Sequence, residues 1–273
     1  WVFNPLPYFI QIQELKKIFT YVEPNIIITD KKEIFSHLSK QYKILTPGQI
    51  LSGNEKFKQK EIDPQQPAAL YYSSGTTDNP KGVMYSHKNM VSLINSIIRG
   101  FKFTSADRQL AFLPFGHTAS INYNILPSLL IGCDLFISKG FEHLRSIFFN
   151  ILEKYRITYT EIVPTVLFIL NKLKVDISNI DLSLLEFIGC GSSTLPLSAQ
   201  KEFITHYGVD IGNLYGLSET GPTHIDDPRK KGWKPGSIGI PLDVNECRIS
   251  QDGEILIKGE NVFMSYYKNK QLY

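Results

Sequence analysis

ITYTEIVPTVLFILNKL, Ile157–Leu173, reads as a strand that turns directly into a helix. Ile157–Val163 is rich in β-branched residues, and Pro164 ends the run. Proline has no N–H for a sheet ladder, but it fits the first turn of a helix. Thr165–Leu173 then reads as that helix. The alternation continues on both sides. Upstream, His143–Tyr155 places Leu144, Ile147, Phe148, Ile151, Leu152 and Tyr155 on one face at helical spacing. Downstream come a strand at Leu185–Ile188, a helix at Ser198–Tyr207 with Ser198 as its N-cap, and a strand at Val209–Leu214. Near the start, Asn25–Thr29 reads as a further buried strand. Strands alternating with helices predict an α/β fold built on βαβ units, with parallel sheets flanked by helices.

The end of the chain has a different character. Glu246–Ser250 and Glu254–Lys258 flank Asp252-Gly253, which suits a tight turn because glycine accepts positive φ. A β-hairpin is expected there, as part of a small β-barrel-like region. The expected organisation is therefore an α/β core over residues 1–240 and the start of a β-rich subdomain over 241–273.

Composition narrows the function classes. The chain has 273 residues, 42% hydrophobic and 20% charged, as in a soluble globular protein with a sizeable core. A net charge of +3 does not imply a nucleic-acid or membrane surface. The most polar stretch, Gly53–Asp63, reads as a surface loop. Cys133, Cys190 and Cys247 are far apart and form no CxxC pair, so buried free thiols in a reduced compartment are expected. The longest apolar stretch, Ile125–Ile137, is interrupted by Asp134 and too short to span a bilayer. No signal-peptide pattern is visible. These features point to the cytoplasm, with an organelle such as the peroxisome as the alternative. The first residue is Trp1, and the chain is expected to be cut off at both ends.

The segment richest in chemistry is YSSGTTDNPKG, Tyr72–Gly82. An apolar strand, Ala68–Tyr72, leads in, and a strand-like run, Val83–Ser86, follows. Ser73, Ser74, Thr76 and Thr77 surround Gly75 with hydroxyls and backbone N–H groups, which can wrap phosphate oxygens. Lys81 adds a point charge. This is not a Walker A loop, because Pro80 and Gly82 flank the lysine.

The eleven-residue pattern resembles the signature loop of the acyl-adenylate-forming (AMP-binding) superfamily, which includes acyl-CoA synthetases, coumarate-CoA ligases, firefly luciferases and adenylation domains of peptide synthetases. Further segments resemble that family in the right order. They are LPFGH (Leu113–His117), GCGSSTL (Gly189–Leu195), NLYGLSETG (Asn213–Gly221), KPGSIG (Lys234–Gly239) and GEILIKGENVFMSYY (Gly253–Tyr267). Asp78 stands where the family usually has Gly, Ser218 replaces the commoner Thr, and Ser265 replaces a common Gly.

The resemblance implies a set of roles. Ser73, Ser74, Gly75, Thr76, Thr77 and Lys81 would hold the β- and γ-phosphates of ATP. Gly191, Ser192 and Ser193, with Asn213, Leu214, Tyr215, Gly216 and Leu217, would form the adenine site, with the Tyr215 ring stacked on the base. Ser218 would touch phosphate, Glu219 would hold Mg²⁺, and His117 would lie beside the forming acyl–phosphate bond. The last two segments would be structural. The implied reaction is ATP-dependent activation of a small-molecule carboxylate to an acyl-adenylate, then transfer to CoA, or less readily to a carrier protein. Peptide-synthetase adenylation and luciferase-like chemistry are the alternatives. FGHTAS, Phe115–Ser120, lacks the Asp that peptide synthetases place near Gly116 to hold an amino group, which favours a simple acid. The family's ribose-binding aspartate, hinge and small domain with a catalytic lysine are expected beyond Tyr273.

Two readings from other classes compete. Gly216-Leu217-Ser218-Glu219-Thr220 nearly matches the GxSxG nucleophile elbow of α/β-hydrolases, and Ser198-Ala199-Gln200-Lys201 matches SxxK. The other alternative is a nucleotide-binding fragment without turnover.

Overall fold

A computed structural model of the chain describes residues 2–31, 33, 35, 41–52, 60–73 and 81–268. Residues 53–59 of the expected polar loop and residues 74–80 of the glycine-rich loop lie outside that set. The described residues form two compact units. The smaller lies within Phe9–Asp63, and the larger comprises residues 2–8, 64–73 and 81–268.

In the smaller unit, α1 (Ile12–Val22) buries Leu15, Ile18 and Phe19, one stripe at i, i+3, i+4 spacing. Strands β1 (Ile26–Ile28) and β2 (Lys43–Leu45) pair in parallel. Helix α2 (Pro47–Leu51) starts on a capping box between Thr46 and Gln49.

The larger unit opens with β3 (Pro67–Ser73) and β4 (Lys81–Ser86), antiparallel with Ser73 opposite Lys81. Then come α3 (His87–Phe101), β5 (Arg108–Ala111), α4 (Thr118–Ser120), a π-helical turn (Ile121–Ile125), α5 (Leu126–Ile131) and β6 (Asp134–Ile137). The βαβ repeat continues through α6 (Phe148–Lys154), β7 (Tyr159–Ile162), α7 (Pro164–Leu173), β8 (Phe187–Cys190), α8 (Leu197–Tyr207) and β9 (Ile211–Leu217). The last elements are β strands: β10 (Gly221–Ile225), β11 (Ile240–Pro241), β12 (Asn245–Ile249), β13 (Ile255–Gly259) and β14 (Ser265–Tyr266).

Among the described residues, seven strands form one sheet in the order β11-β10-β9-β8-β7-β5-β6. From β6 to β9 every pairing is parallel; β10 and β11 are antiparallel additions. This is the mixed α/β architecture with parallel sheet expected from the alternation. All four residues of β7 and of β8 are buried, as strands covered on both faces require. Helix α3 covers part of the sheet with Leu93, Ile94, Ile97 and Phe101, and a Ser86–Asn89 capping box fixes its start. Phe101, Phe103, Tyr159 and Phe187 pack ring to ring at 5.0–5.9 Å in the same core. β12 and β13 form the expected hairpin, with Gly253 at φ +84 in its loop. β14 pairs with β4, extending the β3–β4 hairpin to three strands.

Several local expectations need correction. The helix read over His143–Tyr155 begins only at Phe148, after a 3₁₀ turn at Phe141–His143. Its apolar spacing is satisfied partly by that turn, since Leu144 is buried. The strand read at Leu185–Ile188 lies at Phe187–Cys190, because Leu185 closes a turn with Leu182. Ser198 is not an N-cap: Pro196 holds that position and Ser198 is the second residue of the helix. Lys81 belongs to β4 and not to the loop. Cys190 is a buried free thiol, whereas Cys133 and Cys247 are free and half-buried.

Candidate functional site

Parallel strands of an open α/β sheet present ligands at their carboxyl ends. Here the carboxyl end of β8 runs into Gly191, Ser192 and Ser193. Gly191 donates its N–H to Ile162 O of β7 at 3.3 Å. A Cβ on Gly191 would come within 2.8 Å of Leu214 O, so only glycine lets this turn lie against β9. Ser192 takes φ +69, and Ser192 and Ser193 are exposed. The result is an exposed ledge of small residues beside β9.

β9 carries Asn213, Leu214, Tyr215, Gly216 and Leu217 along that ledge. Asn213 donates to Ser237 O at 2.9 Å, which ties the KPGSIG segment to the strand. Gly239 in that segment has φ +83, and a side chain there would overlap Ile225 O. Tyr215 is half-buried, with its ring edge-on to His224 at 5.5 Å. Gly216 and Leu217 are exposed. A Cβ on Gly216 would overlap Gly221 O of β10, so glycine here sets the close approach of the two strands.

Between β9 and β10 the chain turns through Ser218, Glu219 and Thr220. Thr220 Oγ1 accepts from Leu217 N at 3.2 Å. Segments distant in sequence hold the turn. The Tyr85 hydroxyl of β4 donates to Ser218 O at 2.7 Å. Asn261 Nδ2 donates to Thr220 O at 2.8 Å, and Phe263 N donates to Glu219 O at 2.9 Å. The Tyr266 hydroxyl donates to Glu219 Oε1 at 2.9 Å. Glu219 is half-exposed, and no partner of its Oε2 is found among the described residues. One fixed, one free hard oxygen is the kind of donor that Mg²⁺ takes, with phosphate and water filling the other positions. Among the described residues no cluster of three or more His, Cys, Asp or Glu could hold a metal ion on its own.

His117 stands at the start of the helical segment α4–α5. Its Nδ1 accepts from Ala119 N at 3.2 Å, capping α4. That bond leaves the proton on Nε2, and desolvation by the surrounding protein lowers the pKa of the ring. Neighbouring Gly116 is required because Leu6 and Pro7 pass where its Cβ would be. Further along the segment, Asn122 Nδ2 lies 3.4 Å from where a Cβ on Gly221 would be. The His117 segment therefore packs beside the Ser218–Thr220 turn.

The structure thus brings together Gly191–Ser193, Asn213–Leu217, Ser218 and Glu219. Ser73 and Lys81 pair across the β3–β4 hairpin, with Lys81 exposed four residues before Tyr85. Ser74, Gly75, Thr76 and Thr77 lie outside the described residues. Tyr85, Asn261 and Tyr266, which hold the turn, escaped the sequence reading. The repeated aromatic at the end of the FMSYY segment was the available signal for Tyr266. The hydrolase reading fails on topology: Ser218 lies in a strand-to-strand turn, whereas a nucleophile elbow joins strand to helix. His224 Nδ1 contacts Thr223 Oγ1 at 3.0 Å rather than a serine nucleophile. Ser198 lies in the first turn of α8.

A sequence model of the family described as AMP-binding enzyme matches residues 2–267. The chain is 31% identical to a marinolic acid–CoA ligase of a Pseudoalteromonas species over 76% of its own length and 35% of the relative's. It is 27% identical to 4-coumarate–CoA ligase 2 of Nicotiana tabacum over 77% of its length and 42% of the relative's. ATP-bound MatB from Rhodopseudomonas palustris superposes with a TM-score of 0.84 at 23% identity, covering 98% of this chain and 57% of that one. The chain thus spans less than half the length of these curated relatives.

Proposed function

Because the chain belongs to the AMP-binding enzyme family, we propose that its protein activates a small-molecule carboxylic acid with ATP and transfers the acyl group to CoA, as an acid–thiol ligase. In the first half-reaction a carboxylate oxygen bonds to the α-phosphorus and pyrophosphate leaves. In the second, a thiolate sulfur bonds to the acyl carbon and AMP leaves. The observation that carries this reading is the braced turn at Ser218–Thr220, which fixes one oxygen of Glu219 at the end of β9, the strand against which the Gly191 ledge lies.

The chain's residues take these roles. Tyr215 and the Gly191–Ser193 ledge receive the adenine, with Asn213, Leu214, Gly216 and Leu217 forming its strand wall. Ser73, Ser74, Gly75, Thr76, Thr77 and Lys81 orient the β- and γ-phosphates, and Ser218 contacts phosphate. His117, neutral with its proton on Nε2, donates a hydrogen bond near the acyl–phosphate bond. Glu219 would hold Mg²⁺, which when bound would supply positive charge against the leaving pyrophosphate. Catalysis by such a site is mostly positioning and electrostatics.

The CoA ligases among the relatives support CoA over a carrier protein as acceptor. We also propose an AMP-binding core over residues 1–240 and a β-rich subdomain beginning at 241. Residues 1–273 in isolation are proposed to bind nucleotide without turnover, since they span less than half of the relatives' length. No helix among the described residues is long and apolar enough to cross a membrane, and the cytoplasm is the proposed compartment. The test is product analysis with full-length protein, ATP, Mg²⁺, CoA and a panel of fatty, aryl and hydroxylated acids. Equal amounts of acyl-CoA, AMP and pyrophosphate are expected. AMP without any acyl-thioester would refute the ligase assignment.

A further inference from the structure

Where the π-helical turn packs on β5 and β7, polar side chains are buried without enough partners. Glu161 of β7 is 1% exposed, and neither carboxylate oxygen has a hydrogen-bond partner among the described residues. Tyr159, two residues earlier and so on the same strand face, leaves its hydroxyl unpartnered. Gln109 of β5 lies opposite Tyr159. Its Oε1 accepts from Asn124 at 3.2 Å, but its Nε2 has no partner. Asn122 of the π-helical turn leaves Oδ1 unpartnered.

Desolvation alone raises the Glu161 pKa, with no cation set against it. Burial, and after it the nearness of Glu161, push up the Tyr123 and Tyr159 phenols and the Cys190 thiol. A buried polar group without a partner costs folding free energy, and more if charged. Apolar side chains of similar volume would be better for stability at every one of these positions. Native folds keep such groups where a ligand or water completes them. π-helical turns are also frequent at functional positions.

The location says which ligand. Asn122 lies five residues after His117 on one helical segment, and its amide lies beside Gly221 at the end of the Ser218–Thr220 turn. The unpartnered layer therefore continues inward from the edge where the carboxylate would react. We propose that this layer is the subsite for the far end of the acid, and that the acid carries a hydroxyl or amino group there. Glu161 and Asn122 Oδ1 accept its O–H or N–H, and Tyr159 and Gln109 Nε2 donate to a hydroxyl oxygen. A methyl end satisfies none of them. The inference rests on the carboxylate-activating reading above.

The test uses full-length protein and acids of matched chain length ending in methyl, hydroxyl or amino groups, with kcat/KM for ATP–pyrophosphate exchange measured for each. The hydroxyl- or amino-ended acid is expected to exceed its methyl counterpart by at least about tenfold. Which of the two wins assigns the group. Glu161→Leu is expected to lower that ratio about tenfold or more while its melting temperature holds or rises, and Glu161→Gln should fall between. If Glu161→Leu does not fold, Asn122→Leu reads the same ratio. A preference for methyl-ended acids, or a ratio unchanged in these variants, would overturn the subsite and leave the enzyme reading intact, the layer then holding only water. Absence of exchange with every acid would instead overturn the enzyme reading and the subsite with it.

Discussion

Replacing Tyr266 by Phe removes one oxygen and keeps the ring. The hydroxyl donates to Glu219 Oε1 at 2.9 Å, and the ring lies edge-on to Phe263 at 4.9 Å, a contact that Phe preserves. A hydrogen bond to an ionised acceptor contributes about 1.5–3 kcal/mol. Both side chains are half-exposed, so the lower end of that range applies. That is roughly a tenfold change in any equilibrium that depends on Glu219 being held in place. If Glu219 holds Mg²⁺, Tyr266→Phe should raise the Mg²⁺ concentration for half-maximal ATP–pyrophosphate exchange about tenfold. The melting temperature should drop by no more than about 2–4 °C. An unchanged Mg²⁺ dependence together with a lower melting temperature would refute the reasoning, because the bond would then brace only the turn.

Tyr85→Phe leaves Ser218 O without its 2.7 Å donor, so it should cost about 1–3 kcal/mol in urea unfolding and also weaken nucleotide binding. Gly216→Ala forces a methyl against Gly221 O and should abolish measurable nucleotide binding in calorimetry, with about 1–3 kcal/mol of lost stability. Glu161→Gln tests the buried carboxyl through pH. Burial raises its pKa above the ordinary 4.5, so the folded state keeps a proton that the unfolded state releases. Its contribution is therefore fully present below pH 4.5 and declines as pH rises toward the folded value, at up to about 1.4 kcal/mol per pH unit. The melting temperature of Glu161→Gln minus that of the parent should widen from pH 5 to pH 8, and parallel curves would contradict it.

The βαβ alternation was legible because each strand and helix carries its own period. Tyr159–Ile162 and Pro164–Leu173 fall where apolar runs and Pro164 place them, and the strand read at Val209–Leu214 lies two to three residues later, at Ile211–Leu217. Boundaries that depend on tertiary contacts were not legible. The stretch before Phe148 has helical spacing but closes as a 3₁₀ turn, and Lys81 is drawn into β4 by its partner Ser73. The site segments were visible as local motifs, since glycines and small residues mark close approach, as at Gly191 and Gly216. Their braces were not, because Tyr85 and Tyr266 reach Ser218 and Glu219 across 133 and 47 residues of chain. Glu161 looked like an ordinary residue in a β-branched run, and only its burial without partners sets it apart.

The central claim is that the Ser218–Thr220 turn and its Glu219 carboxylate serve an adenylate-forming reaction. Carboxylate-dependent ATP–pyrophosphate exchange by the full-length protein, compared with Glu219→Gln, tests it most directly. Exchange is expected to need both acid and Mg²⁺ and to fall by about a hundredfold or more in the variant, as when a group that stabilises transition-state charge is removed. Exchange of equal rate in Glu219→Gln would contradict it.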